Sequence, residues 1–246
     1  MKFDVLITVA EKDFNKLPYV LKSIQQNIPN VAGRYVVSPV PVPEKDKLPS
    51  VYYYLDEEVF DYNISKIDLP YRRGWYRQQF IKLFQQVTGD TYLVVDADAY
   101  INRKIEVNGT FPVFYLGKDQ LHLPYFECMK MLCGLERAYP HSFISEIMLF
   151  KRRLIQFLLK EQRKTIGEFI SSCIDCINIV GHPSGFSEYE FYGNYVSSRM
   201  KGYYQYQFIK VKSHAKKRQW ADKEIQDTLS KYSSSDFDII TMHSWL

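Results

Sequence analysis

Asp96 and Asp98 stand one residue apart, directly after the apolar run Thr91-Tyr-Leu-Val-Val95. A short apolar run of this kind reads as a buried strand. If the chain stayed extended past it, alternation would put both carboxylates on one face. Paired hard oxygen donors at a sheet edge suit Mg²⁺ or Mn²⁺ held against the phosphates of a nucleotide. The plainer reading is a solvated strand end with a turn-forming aspartate.

The elements that must position this pair alternate along the chain. A strand over residues 4–10 comes first, then a helix through Leu17, Val20, Leu21 and Ile24 that Pro29 stops. Strands are expected at 34–38 and 51–54, with the proline-rich loop Pro39-Val-Pro41-Val-Pro43 between them. A helix over 74–87 has Trp75, Phe80, Ile81, Phe84 and Val87 on one apolar face, and it leads into the aspartate strand. Further strands are expected at 113–116, 143–150 and 203–211, and helices at 151–162, 168–180 and 188–200, the last capped by Ser187. Residues 216–235 read as polar, helical or loose, and 239–246 as a closing tail. Alternating strands and helices imply an α/β sandwich around a central, mainly parallel, mixed sheet. In such sheets ligands bind at the carboxyl ends of strands.

The 246 residues suit one domain, read here as a nucleotide-binding half (1–100) and an acceptor-binding half (101–246). A net charge of +4 is too small to imply nucleic acid. Twenty Tyr and 16 Phe supply flat faces for stacking, or simply a Tyr-rich core. Cys128, Cys133, Cys173 and Cys176 read as reduced, buried thiols, because their spacing lacks the tight pairs of a zinc site. No apolar run reaches membrane-spanning length. The expectation is a cytoplasmic protein. The basic clusters at 151–153 and 210–218 read either as solvated helix faces or as a peripheral contact with an anionic membrane.

With Asp96-x-Asp98 after its apolar strand, Gly74-Trp-Tyr-Arg-Gln-Gln-Phe-Ile-Lys82 upstream and Gly185-Phe-Ser-Glu-Tyr-Glu-Phe-Tyr-Gly193 downstream, the chain resembles the glycosyltransferases of the GT-A fold. The Trp-Tyr-Arg-Gln-Gln and Ser-Glu-Tyr-Glu pieces look like a poorly characterised GT-A-like group of bacteria and large DNA viruses. The resemblance implies a GT-A-like α/β/α sandwich. It implies transfer of a hexosyl or pentosyl group from a nucleotide-diphosphate sugar, UDP-linked, to a glycan or related hydroxyl acceptor, with Mn²⁺ or Mg²⁺ as cofactor. It makes Asp98 the direct metal ligand, gives Asp96 the donor ribose or the metal through water, and adds His243 as a further ligand. The alternative for His243 is a frayed tail residue, and His214 is a rival set among lysines. The loop after the first strand, Thr8, Val9, Ala10 and Glu11, would hold the nucleoside.

The chemistry of other positions fits the same scheme. Arg77 and Arg73 offer guanidinium groups to a diphosphate, and Gln78 and Lys82 lie one helical turn apart. Glu188 and Glu190 offer a carboxylate to take the acceptor's proton in an inverting transfer. Surface ion pairs and ordinary helix N-terminal acids are the plainer readings of these residues. Two other functions use similar residues. A haloacid dehalogenase-type phosphatase also places Asp-x-Asp after an apolar strand, but near the start of its domain. A non-catalytic nucleotide-sugar or carbohydrate-binding protein would keep the fold without turnover.

Overall fold

The computed structural model describes residues 2–43, 50–59, 72–107, 113–117 and 121–244. Its main sheet has the strand order β3-β2-β1-β4-β7, built from β1 (Phe3–Thr8), β2 (Val31–Ser38), β3 (Tyr52–Leu55), β4 (Thr91–Val95) and β7 (Ile147–Lys151). The first four strands run parallel, and β7 joins β4 antiparallel. All six residues of β1 are buried, as expected of a parallel strand covered on both faces.

Alternation along the strands divides the core in two. Val5, Ile7, Leu93, Val95 and Leu149 pack with Leu17, Val20 and Ile24 of α1 (Leu17–Asn27). Leu6, Tyr92, Val94, Met148 and Phe150 face the other way. They pack with α2 (Arg73–Phe84), α3 (Leu123–Cys133), α4 (Arg152–Glu161), α5 (Ile166–Val180) and α6 (Glu188–Arg199). The result is the expected mixed α/β sandwich with a central, mostly parallel sheet.

A second sheet has the order β5-β10-β9, from β5 (Ala99–Ile101), β9 (Val211–Lys216) and β10 (Ile239–Ser244). It places the closing segment beside the strand that leaves Asp98. A two-stranded pair, β6 (Val113–Leu116) with β8 (Gln205–Phe208), and α7 (Asp222–Tyr232) complete the described elements.

Several sequence expectations need correction. The strand expected at 143–150 begins only at Ile147. Ser145 Oγ bonds the Ile147 carbonyl at 2.7 Å, and Glu146 takes a left-handed backbone (φ 67°), so the chain turns there. The strand expected at 203–211 is two strands, β8 and the start of β9. Helix α3 was not anticipated, although Pro124 in its first turn and Gly134 at a left-handed C-terminus (φ 62°) are standard boundary signals. The tail is strand β10 as far as Ser244, while Trp245 and Leu246 lie outside the described residues. So do residues 60–71.

Among the described residues, no helix is long and apolar enough to cross a membrane. The basic clusters are largely engaged within the fold. Lys151 is buried and bonds Tyr203 OH, Arg152 bonds the Thr88 carbonyl, and Arg153 pairs with Asp90. Lys210 pairs with Asp236, and Lys216 and Arg218 with Glu224.

Candidate active site

Strand β4 ends at Val95, so the extended continuation expected through Asp96 and Asp98 does not occur. The Asp96 N–H donates to the Glu146 carbonyl (3.0 Å), and the Ala99 N–H turns back to the Asp96 carbonyl (3.0 Å). Ala97 and Asp98 form a turn, and β5 departs into the second sheet. The two carboxylates therefore enter different networks rather than sharing a strand face.

Asp96 faces the helical layer. Its Oδ1 accepts from Lys82 Nζ at 2.7 Å and from Tyr189 OH at 2.8 Å. The same ammonium reaches Glu188 Oε1 at 2.6 Å and lies 4.7 Å from the Tyr189 ring centre. Burial alone would push the Lys82 ammonium toward neutrality. The charges of Asp96 and Glu188 override that and raise its pKa above the usual lysine value. Burial raises the Glu188 carboxyl, and Asp96 adds to the rise, against the pull of Lys82. Two contacts dock the turn before α6 onto α2. Gln79 Oε1 accepts the Glu188 N–H (3.0 Å), and Tyr76 OH accepts the Gly185 N–H (2.8 Å).

Asp98 faces the second sheet. Its Oδ2 lies 2.8 Å from His243 Nδ1, across 145 residues of sequence, and its carbonyl accepts the Met242 N–H (3.0 Å). Burial would raise Asp98, but the hydrogen bond and charge of His243, helped by Lys16, hold it below the ordinary aspartate value. Burial would likewise lower His243, and Asp98, Glu146 and Asp96 instead raise it to about 9. Lys16 is fully buried, with its ammonium 2.6 Å from Asp13 Oδ1 and 2.8 Å from Ser244 Oγ. Lys12 Nζ donates to the Ser244 carbonyl. These two lysines fasten the end of β10, and so place His243.

Between the two networks stands Glu146, which the sequence reading missed. Its Oε1 is 4.0 Å from His243 Nε2. Burial, reinforced by the negative charges of Asp96 and Asp98, pushes its carboxyl up to about 8. A non-glycine residue in the left-handed region costs of order 1–3 kcal/mol. No motif marks Glu146. Its signals in three dimensions are the backbone angle and the crowding of like charge. Lys82, which the sequence places only one helical turn from Gln78, holds two acids together here.

The remaining expected residues are distributed unevenly. Thr8 ends β1 and Val9 follows it, its N–H bonded to the Val37 carbonyl. The β1–β4 register ends at Leu6 and Val94, so Thr8 and Asp96 both lie at the carboxyl edge of the sheet on neighbouring segments. Ala10 leads into a short 3₁₀ helix, and Glu11 within it is exposed. Arg77 is held by Asp56 (2.7 Å) at the far end of β3. Gln78 is half-buried one turn before Lys82, and Arg73 is exposed at the start of α2. Glu190 is not part of the Lys82 network. Its Oε1 accepts from Ser142 Oγ (2.5 Å) and the Phe143 N–H (3.2 Å), and its Oε2 from Asn194 Nδ2 (3.1 Å). His214, the rival of His243, sits on β9 with its pKa lowered by burial and by Lys212, Lys231 and Lys216.

The donor types suit a hard divalent ion. Asp98, Asp96 and Glu146 supply oxygen and His243 supplies a ring nitrogen, and the negative charges of Asp96 and Asp98 add to the burial that raises the proton affinity of Glu146. Among the described residues, no group of three or more His, Cys, Asp or Glu side chains is already arranged to hold a metal ion. A groove between α2 and α4, lined by Gln86, Arg152, Ile155 and Ile166, carries no comparable set of acids.

No family model matches the chain, and no curated protein sequence matches it. Solved structures do. The galactosyltransferase LgtC, crystallised with donor and acceptor sugar analogues, is 12% identical and has a TM-score of 0.51. That match covers 97% of this chain and 86% of that one. Mouse xyloside xylosyltransferase 1, in its apo form, is also 12% identical with a TM-score of 0.51, covering 98% of this chain and 97% of that one. At this identity the likeness is one of fold, and the fold is that of GT-A-like glycosyltransferases.

Proposed function

We propose that the protein is a glycosyltransferase that takes a hexosyl or pentosyl group from a nucleotide-diphosphate donor, UDP-linked, to a hydroxyl of a glycan or related acceptor. The observation that carries this reading is the 2.8 Å contact of Asp98 with His243, formed beside Asp96 at the carboxyl end of a central strand. In this reading Asp98 and His243 hold Mn²⁺ or Mg²⁺, with Asp96 beside them. The ion, when bound, neutralises charge on the leaving diphosphate.

The chain's own groups divide the remaining work. Lys82 holds Asp96 and Glu188 in fixed positions, so that the donor sugar meets an ordered wall rather than mobile side chains. Glu188 is the group we assign to the acceptor. Burial raises its proton affinity above that of a free carboxylate, which suits a base that takes a hydroxyl proton. Glu190 acts at one remove, tying the 142–143 turn to the start of α6. We assign Thr8 to Glu11 to the nucleoside and Arg73 to the diphosphate, since Arg77 is held by Asp56.

Thermal-shift measurements with UDP-sugars and other nucleotide sugars, with and without Mn²⁺, test the reading. A stabilisation that needs both nucleotide and metal is expected, and Asp98→Ala should abolish it while leaving the fold intact. If no nucleotide raises Tm with metal present, the assignment is wrong.

A further inference from the structure

We infer that the rim of the molecule where α3 begins and α5 ends docks on an anionic lipid bilayer. The inference goes beyond the glycosyl-transfer reading and stands without it.

Three large apolar side chains are exposed at this rim. Leu121 (62% exposed) and Leu123 (58%) flank the start of α3, and Ile179 (73%) lies at the end of α5. Contacts bring the two helix ends together. The His122 ring, between the two leucines, lies 4.8 Å from the ring of His182, three residues after Ile179. Its Nε2 is also 2.8 Å from the Ser184 carbonyl oxygen. Exposed apolar side chains scattered singly need no explanation, but several gathered at one place mark a contact surface.

The charge beside them selects the occupant. Arg72 donates to Ser184 Oγ and lies 3.9 Å from the Trp75 ring centre, which holds it at the same rim, with exposed Arg73 next in the chain. Neither 121–126 nor 179–185 contains an acid, and Glu127 and Asp175 lie one helical turn further from the rim. Apolar tips beside arginine match a bilayer with anionic headgroups. The apolar side chains sink toward the acyl chains, and the guanidinium meets phosphate. Half-buried Trp75 and Tyr125, the latter with its ring 4.3 Å from that of His122, offer the amphipathic rings that favour the headgroup level. The basic clusters at 151–153 and 210–218 do not compete for this role, because their charges are largely engaged within the fold. Ser184, at the rim, precedes Glu188 by four residues, so the docked surface runs into the turn that carries the acid assigned to the acceptor.

Flotation with phosphatidylcholine vesicles, with and without phosphatidylglycerol, tests the inference. The wild type is expected to float with the anionic vesicles, less so at high salt, and not with phosphatidylcholine alone. The triple variant Leu121→Asn/Leu123→Asn/Ile179→Asn should weaken that binding by about tenfold or more, and Arg72→Gln by about fivefold. Phe157→Asn, at a 55% exposed side chain on α4, should leave it unchanged. All these positions are exposed, so the variants should keep the wild-type Tm. The inference is overturned if the wild type does not float with anionic vesicles, if the triple variant floats as well as the wild type, or if Phe157→Asn loses as much. A dimer that the triple variant abolishes, without flotation, would give the rim to a second copy of the chain instead. Flotation without any Mn²⁺-dependent stabilisation by a nucleotide sugar would uphold the bilayer contact while the proposed function fails.

Discussion

The two aspartates of the motif are two residues apart in sequence and belong to different hydrogen-bond networks. Asp96 is held by helix-borne groups, Lys82 from α2 and Tyr189 from α6. Asp98 is held from the second sheet by His243, with Lys16 and Asp13 beneath it. The helical side is an ion-pair network in which one buried lysine serves buried Glu188 and half-buried Asp96. The sheet side contains a group, His243, whose charge changes within an ordinary pH range. One motif therefore joins a rigid wall to a titratable one. The difference teaches that adjacent residues of a motif need not share a role.

Removing the cation of each side tests this division most directly. Lys82→Met leaves buried Glu188, with half-buried Asp96 beside it, without a counter-charge, and breaking a buried pair in this way costs roughly 3–5 kcal/mol. Chemical denaturation should show a loss in that range. Lys16→Met strands only Asp13, since Asp98 keeps His243, so its loss should fall near the lower end, about 3 kcal/mol. Equal losses in the two variants would mean that the sides are not organised differently.

A second effect belongs to the sheet side alone. Folding raises His243 from 6.5 to about 9 and Glu146 from 4.5 to about 8. Each group binds its proton more tightly folded than unfolded. Their contribution is therefore present at low pH and fades as pH rises through the folded values. Without metal, stability should decline as pH rises from 4.5 through about 9. Melting temperatures across that range should show it, and Asp98→Asn should flatten the curve. A wild-type curve that is already flat would remove the titratable wall. The smallest effect is expected outside both networks. Glu11→Ala, at an exposed position, should change nucleotide-sugar affinity by less than about twofold, because a solvated carboxylate contributes little. A larger loss by calorimetry would show that the Glu11 carboxylate itself grips the nucleoside.

The sheet was largely legible in the sequence because its strands are short apolar runs with clear breaks. Helix α6 was legible from Ser187, whose side chain does accept the Glu190 N–H (3.4 Å). Asp98 and His243 could be named from motif and resemblance. Their contact could not, because nothing local encodes a pairing across 145 residues. Glu146 was hidden for another reason. The run Phe143-Ile-Ser-Glu-Ile147 reads as strand, and only the hydrogen bonds of Ser145 and the turn at Glu146 show that it is not. Lys82 was legible as a helix residue but not as a hinge between two acids, since Glu188 lies 106 residues away.

The placement of His243 on β10 also bears on how the protein becomes competent over time. That strand is fastened to residues 228 and 232 positions earlier, through Lys16 and Lys12. Closing so long a loop is slow compared with forming a helix. During refolding, helical signal should therefore return well before Trp220, whose ring N–H bonds the His243 carbonyl, reaches its final environment. Any ligand that grips both Asp98 and His243 would act as a clasp on the last-closing seam and slow its reopening more than that of the rest of the chain.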